Sequence, residues 1–126
     1  KMRVRMENPV EDFNAYRSKM NDKLLGENQK LIKRLFNLDT NAYLPGALDS
    51  KTKELLGLVA SMVLRCNDCI FYHIDRCVTE GATREEIMEA MNIALVIGGS
   101  IVIPHLRYGF EMLDTLLTEA AEEKAE

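Results

Sequence analysis

Aromatic residues and proline are scarce in this sequence of 126 residues, which has no Trp, three Pro and 6% aromatic residues in all. Sandwiches and barrels are built from strands rich in aromatic and β-branched residues, so this composition disfavours them. The 47% of hydrophobic and 29% of charged residues are typical of a folded chain and not of a disordered one. The length allows one core, and we expect a single all-α domain over residues 1–126.

The sequence also lacks an excess of positive charge and a long apolar run. Its 16 basic and 20 acidic residues give a net charge of −4, which disfavours nucleic acid as a partner. The longest apolar stretch, residues 93–103, contains Gly98 and Gly99 and is much shorter than the roughly 20 residues that cross a bilayer. No apolar segment follows the basic residues 1–6, so we expect no secretory signal, no membrane partner and a cytoplasmic location.

Hydrophobic residues recur at helical spacing in six segments. Pro9 suits the first turn of the first helix, and Asp49 or Ser50 can cap the third. Thr83 and Glu86 have the spacing of a capping box at the start of the fifth. The predicted helices cover residues 9–25, 31–38, 50–63, 66–79, 83–98 and 101–122.

Polar segments and glycines are expected to end these helices. The Asp39-Thr40-Asn41 sequence interrupts the apolar pattern of the second helix, and Glu80-Gly81 follows the fourth in the manner of a C-terminal cap. The charged residues 120–126 are expected to fray and, like residues 1–8, to be flexible.

Cysteine is scarce too, and two of the three cysteines lie three residues apart. An odd number is a poor disulfide framework for a secreted protein, whereas a Cys-x-x-Cys pair is a reasonable dithiol in a reducing compartment. Cys66, Cys69 and His73 share one face if Cys66 begins a helix, because residues three and four apart are neighbours there. A helix N-terminus and an imidazole both favour the thiolate, and a second thiol can trap a sulfenic acid as a disulfide. The segment therefore predicts a thiol redox centre.

Two other interpretations of the cysteines stay open. Cys-x-x-Cys is also half of many zinc sites, in which Cys77, His105 or a carboxylate such as Glu54 would supply the fourth ligand. Alternatively, Cys66 and Cys69 are small buried residues, since free cysteine is among the most buried residue types. Core packing is the favoured interpretation of Cys77, and a capping or surface role is favoured for His105.

The spacing of four residues carries a family resemblance. Glu54 is followed after eleven residues by Cys66. Cys69 follows after two more residues, and His73 after a further three. This Glu-x11-Cys-x2-Cys-x3-His pattern resembles the signature of alkylhydroperoxidase D-like proteins, which belong to the carboxymuconolactone decarboxylase family. The likeness extends over residues 48–113 and includes the Leu-Leu-Gly-Leu-Val-Ala and Gly-Ala-Thr-Arg-Glu-Glu-Ile segments.

The resemblance implies a compact six-helix bundle that assembles into trimers or hexamers. It also implies that Cys69 attacks a hydroperoxide and becomes a sulfenic acid, which Cys66 resolves as a disulfide. Glu54 and His73 would form a proton relay in which the imidazole accepts the proton of the thiol. A thiol or lipoyl-type electron donor would reduce the disulfide, and neither a metal nor an organic cofactor is expected.

Asp68, between the two cysteines, departs from the dedicated alkylhydroperoxidase pattern, which has His there. A carboxylate beside the thiols opposes thiolate formation, so we expect slower peroxidase chemistry or a different oxidant. Family members that decarboxylate lactones act without a Cys-x-x-Cys pair, which argues against that activity here. A non-enzymatic redox-sensing module, whose assembly or partner changes with the disulfide state, is the main alternative to an enzyme.

Overall fold

The computed structural model of the protein describes residues 8–125, and all regular structure in that range is helical. The elements are α1 (Pro9–Gly26), α2 (Lys30–Ala42), α3 (Ser50–Val63), α4 (Asn67–Thr79), α5 (Arg84–Gly98), a 3₁₀ turn (Ser100–Val102) and α6 (Ile103–Ala125). The predicted all-α fold with six α-helices is therefore confirmed. None of these helices combines the length and the apolarity that crossing a membrane requires.

The helix starts predicted from capping residues are confirmed. At the start of α3 the Asp49 carboxylate accepts a hydrogen bond from the Thr52 N–H at 2.7 Å. At the start of α5 the Thr83 hydroxyl accepts from the Glu86 N–H at 3.1 Å, while the Glu86 carboxylate accepts from the Thr83 N–H at 2.8 Å. These bonds satisfy N–H groups that have no partner inside the helix, and each cap contributes about 1 kcal/mol.

The predicted end of α2 is wrong, because the helix continues through Asp39-Thr40-Asn41 to Ala42. Two of the three polar side chains in this segment, those of Thr40 and Asn41, find partners within the helix. The Thr40 hydroxyl donates to the Phe36 carbonyl one turn earlier, at 3.0 Å. Bonding of this kind lets threonine continue a helix that its own propensity disfavours.

The two ends of the described chain are held in place. Asn8 caps α1 by accepting from the N–H groups of Val10 and Glu11, and its side-chain amide donates to Glu119 of α6 at 2.7 Å. The flexibility predicted for residues 1–8 stays a prediction at Asn8, and for residues 1–7 it lies outside the described range. At the other end α6 continues as a helix to Ala125, past the point where residues 120–126 were expected to fray.

The core lies where α3 packs against α4 and α5, and where α4 packs against α6. Only one face of α3 is deeply buried, since Leu58 and Met62 are inaccessible while Leu56 is 55% exposed. α2 contributes no buried residue and lies at the edge of the bundle. The fully buried large side chains are Leu58, Met62, Ile70, Ile74, Ile87, Met91, Met112, Leu113, Val102 and Cys77.

Cys77 belongs to this core, as the sequence predicted, and it is the third cysteine of the chain. Burial, with a smaller contribution from the negative charge of Glu54, raises the pKa of the Cys77 thiol to about 12. The thiol therefore stays protonated at neutral pH and is a poor nucleophile.

Gly57 lets the His73 ring of α4 lie close against the backbone of α3. A Cβ atom at this position would lie 2.7 to 2.9 Å from three atoms of the His73 imidazole, which is well inside van der Waals contact. The His73 residue is only 8% exposed, so its ring has little room to move aside. The absence of a side chain at Gly57 therefore decides where the His73 ring can lie.

We expect Cys77 to stay unmodified when the fully reduced protein is treated with iodoacetamide at pH 8. With a pKa of about 12, only about one Cys77 thiol in ten thousand is ionised at that pH, and alkylation requires the thiolate. Intact-mass spectrometry should find two carbamidomethyl groups on the native protein and three after denaturation. Three groups on the native protein would contradict the burial of Cys77.

The Gly57→Ala substitution should destabilise the protein by about 1–3 kcal/mol, because the new methyl group overpacks against the His73 ring. Gly26→Ala is the matched control, since a Cβ at Gly26, also in a helix, would meet nothing within 4 Å. The control should be neutral or slightly stabilising because alanine favours the helix. Urea unfolding at one fixed protein concentration measures both variants, and equal stability of the two would refute the contact.

Candidate active site

The turn between α3 and α4 delivers Cys66 to the start of α4. Arg65 has a φ of 61°, in the left-handed region. The Cys66 N–H donates to the Ser61 carbonyl at 3.1 Å, and the Arg65 N–H donates to the Met62 carbonyl at 3.0 Å. These two bonds are the Schellman motif, which ends a helix and sharply redirects the chain. As a result Cys66 directly caps the next helix.

Cys66 and Cys69 form a disulfide across the first turn of α4, with their Cα atoms 5.3 Å apart. The Cys66 Sγ also accepts the Cys69 N–H at 3.3 Å, so this sulfur serves as the cap of the helix. Cys66 is half-buried, whereas Cys69 is exposed. The two cysteines therefore differ in their access to solvent. Neither is a buried core residue, so that interpretation is wrong.

Glu54 of α3 and His73 of α4 face each other one helix turn deeper. The Nδ1–H of His73 donates to Glu54 Oε1 at 2.8 Å, and the two residues are 8% and 2% exposed. The Arg76 guanidinium approaches the other carboxylate oxygen, with Nε 3.7 Å from Oε2. A buried carboxylate is costly unless it is paired, so these contacts stabilise Glu54 in the interior. The structure thus brings together the two residues that the family pattern placed in a relay, and their catalytic role stays a prediction.

Two tyrosines also contact the His73 ring. The Tyr43 hydroxyl lies 3.4 Å from His73 Nε2, and the ring centroids are 5.3 Å apart. Tyr72 meets the imidazole edge to face at 5.1 Å. Neither tyrosine nor Gly57 was identified from the sequence, because Tyr43 lies in a loop and the contacts depend on tertiary packing.

A cleft of about 380 Å³ opens at Cys69 and contains His73 in its wall. One side of this cleft comes from α1, which the family pattern does not reach, through Phe13, Tyr16 and Met20. Arg17 of the same helix stacks its guanidinium over the Tyr72 ring at 4.3 Å. The full lining is Phe13, Tyr16, Arg17, Met20, Asn21, Asp39, Asp68, Cys69, Tyr72 and His73.

Asp68 lies in the first turn of α4, where its exposed carboxylate is part of the cleft wall beside Cys69. A negative charge is favourable at this end of a helix because the unpaired N–H groups carry partial positive charge. The same charge opposes a thiolate on the neighbouring residue. The structure therefore retains the electrostatic conflict that the sequence predicted.

His105 lies apart from the cleft, on α6. Its Nδ1–H donates to the side-chain carbonyl of Asn67 at 2.7 Å, so it joins α6 to the first residue of α4. His105 is half-buried, and this contact replaces the surface or capping role expected from the sequence. Within residues 8–125 no three His, Cys, Asp or Glu side chains are grouped so that they could hold a metal ion, so the zinc alternative gains no ligand set there.

Relatives among known proteins agree with this fold. The sequence profile of the carboxymuconolactone decarboxylase family matches residues 29–107. Uncharacterised protein 4 in the cox locus of Paracoccus denitrificans is 35% identical over 71 residues, which are 56% of this chain and 64% of that protein. Alkyl hydroperoxide reductase AhpD of Corynebacterium kroppenstedtii is 32% identical over 85 residues, which are 68% of this chain and 46% of that protein. The chain thus spans less than two thirds of the length of these two relatives.

A solved structure from Thermotoga maritima is similar over nearly its whole length. It is a carboxymuconolactone decarboxylase family protein whose name associates it with an antioxidative response. It is 54% identical to this chain, covers 89% of it and 95% of itself, and superposes with a TM-score of 0.85. By sequence profile and by fold, the chain belongs to the carboxymuconolactone decarboxylase family.

Proposed function

We propose that the protein is a thiol-dependent peroxidase or disulfide oxidoreductase of the alkylhydroperoxidase D type. The observation that carries the proposal is an exposed cysteine, already paired with a second one, at the mouth of a cleft whose wall contains a buried Glu–His pair. The names of the Corynebacterium and Thermotoga relatives, which refer to alkyl hydroperoxide reduction and to an antioxidative response, support the same chemistry.

Cys69 is the proposed attacking thiol. It is exposed and lies in the cleft wall, whereas Cys66 is half-buried and is not part of that wall. In the dithiol state the proton of Cys69 passes to His73 Nε2, because Nδ1 is occupied by Glu54. The N–H groups at the start of α4 stabilise the thiolate that remains.

The proposed reaction then proceeds in two displacements. The Cys69 thiolate attacks the terminal oxygen of the hydroperoxide, so that an S–O bond forms and the O–O bond breaks. The departing alkoxide takes the proton held by His73 and leaves as the alcohol. The Cys66 thiol attacks the resulting sulfenic acid, an S–S bond forms, and water leaves.

A separate electron donor completes the cycle. A thiol or lipoyl-type dithiol attacks the disulfide, is itself oxidised and returns Cys66 and Cys69 to the dithiol. The apolar wall formed by Phe13, Tyr16 and Met20 favours a hydroperoxide with an organic substituent over hydrogen peroxide, because it offers surface to an apolar group.

We also propose that the protein is a homo-oligomer, consistent with the trimers or hexamers that the family resemblance implies. An apolar groove between α3 and α5 is lined by side chains that remain exposed, including Leu64 at 77% and Ile97 at 65%. Neighbouring apolar side chains of this size mark interaction surfaces. A second copy of this chain is the proposed occupant, because closed symmetric assemblies bury the same patch on every subunit.

In a peroxidase assay with cumene hydroperoxide and dihydrolipoamide, we expect turnover by the wild type and none by Cys69→Ser, which lacks the attacking thiol. Cys66→Ser should stop after one turnover, with a sulfenic acid on Cys69 that dimedone traps. His73→Ala should lower the rate about a hundredfold, because the proton acceptor is gone.

Cys77→Ala is the matched control for these variants, because it removes a cysteine that lies in the core and outside the cleft. It should retain turnover. The enzyme proposal fails if the wild type and Cys69→Ser consume the hydroperoxide equally slowly. If peroxide closes the disulfide without turnover and the assembly changes, the redox-sensing alternative is supported instead.

Light scattering coupled to size-exclusion chromatography should give a mass that is a multiple of the 14.3 kDa chain. Ile97→Lys should shift the mass toward that of one chain, because the interface would have to bury a charge. Leu24→Lys, an exposed apolar position on α1, is the control and should leave the mass unchanged. A wild-type mass of one chain would contradict the proposed assembly.

A further inference from the structure

Tyr43 is the residue near His73 to which neither the sequence pattern nor the proposed reaction assigns a task. It follows directly after α2 and is half-buried. Its hydroxyl is the group that the structure places on His73 Nε2, the nitrogen opposite to the one that Glu54 holds. The imidazole is therefore contacted at both nitrogens by side chains from other elements.

The backbone around Tyr43 is fixed by α3, the helix that also carries Glu54. The Ser50 hydroxyl donates to the Tyr43 carbonyl at 2.8 Å. The Lys53 ammonium donates to the carbonyl groups on either side, to Ala42 at 2.9 Å and to Leu44 at 2.7 Å. α3 thus carries Glu54 and also binds the backbone around Tyr43. The position of this loop residue is therefore fixed relative to a helix.

The direction of the hydrogen bond between the Tyr43 hydroxyl and His73 Nε2 follows from the bond that Nδ1 makes on the other side of the ring. A neutral imidazole has one N–H, and Nδ1 uses it to donate to Glu54. Nε2 is then an acceptor, so the Tyr43 hydroxyl must donate to it. Burial, followed by the negative charge of Glu54, raises the pKa of Tyr43, so the hydroxyl keeps its proton at neutral pH.

We propose that Tyr43 is a positioning residue for His73: its hydroxyl donates to Nε2 while the cysteines are in the disulfide, and so holds the ring with Nε2 unprotonated. Once the disulfide is reduced, Nε2 accepts the Cys69 proton while the Tyr43 hydroxyl rotates its own proton away and accepts the new Nε2–H, which stabilises the protonated ring. The consequence for reactivity rests on the proposed function, whereas the hydrogen bond itself does not. Tyr43 does not line the cleft that contains Cys69, so it acts through His73 and not through contact with substrate.

Nitrogen-15 NMR of the histidine side chains tests the hydrogen bond in the oxidised protein, at a pH where the ring is neutral. Tyr43→Phe should shift the Nε2 resonance of His73, because the donor is removed while the aromatic ring remains. Tyr72→Phe is the matched control, since Tyr72 touches the same imidazole with its ring and makes no hydrogen bond to it. An unchanged Nε2 resonance in Tyr43→Phe overturns the proposal.

A pair of lysine variants tests whether α3 holds Tyr43 in place. Lys53→Met removes the hydrogen bonds to the Ala42 and Leu44 carbonyls and leaves that of Ser50, so it should shift the Nε2 resonance in the same direction as Tyr43→Phe, by a smaller amount. Lys51→Met is the control, because the Lys51 ammonium bonds to Glu86 of α5 at 2.9 Å and is not bonded to this loop. Equal effects of the two lysine variants would overturn the role of Lys53.

The effect on reactivity is measured in reduced Cys66→Ser protein, where Cys69 is the one accessible thiol and serine still caps the helix. Adding Tyr43→Phe should slow alkylation at pH 7 about fivefold, the loss expected for one hydrogen bond, and should alter its pH profile. In a His73→Ala background the same change should have no effect. Equal slowing in both backgrounds would show that Tyr43 does not act through His73.

These measurements separate the two proposals. The NMR experiment uses the disulfide form and requires no turnover, so the Tyr43–His73 bond can be refuted while the peroxidase proposal stands. Conversely, a protein without peroxidase turnover can still show the shifted Nε2 resonance.

Discussion

The hydrogen bond between the Glu54 carboxylate and the His73 imidazole is the interaction on which the rest of the site depends. Both groups are buried, and an unpaired carboxylate in that position would destabilise the fold by several kcal/mol. The pair therefore constrains how α3 and α4 cross. Gly57 leaves the space for the ring, and Arg76 approaches the second carboxylate oxygen. The contacts that fix the position of the His73 ring in the packed core would also orient it for the proposed proton transfer.

Two helices hold the Cys66–Cys69 turn, α3 before it and α4 after it. The Schellman motif at the end of α3 and the cap at the start of α4 place Cys66 and Cys69 within a few residues of a helix terminus. The disulfide, together with the bond from the Cys69 N–H to the Cys66 sulfur, leaves the first turn little freedom. If the proposed reaction occurs, a thiol held in this way would meet its oxidant at low entropic cost, which is the advantage of building a site on helices rather than on a loop.

Helical spacing alone predicted that Cys66, Cys69 and His73 would share one face, because i, i+3 and i+4 positions are fixed by the geometry of a helix. Glu54 lies on another helix, so only the family pattern could identify it. Tyr43, Gly57 and the α1 wall of the cleft could not be predicted, since those contacts arise from tertiary packing between distant segments. The end of α2 was predicted wrongly for a local reason. The Thr40 hydroxyl donates to a carbonyl within the helix, and a prediction from helix propensity does not include this bond.

The charge of Asp68 increases the dependence of the chemistry on His73. A helix N-terminus stabilises a nearby negative charge by about 0.3–1 kcal/mol, whereas two unit charges about 4 Å apart in water repel by about 1 kcal/mol. At such a separation the two terms are similar in size and opposite in sign, so we expect the exposed Asp68 carboxylate to offset part of what α4 would contribute to a Cys69 thiolate. In the proposed reaction, formation of that thiolate would then depend on transfer of its proton to a well-oriented imidazole. We therefore expect the orientation of His73 by Glu54, Gly57 and Tyr43 to influence reactivity more than the helix terminus does.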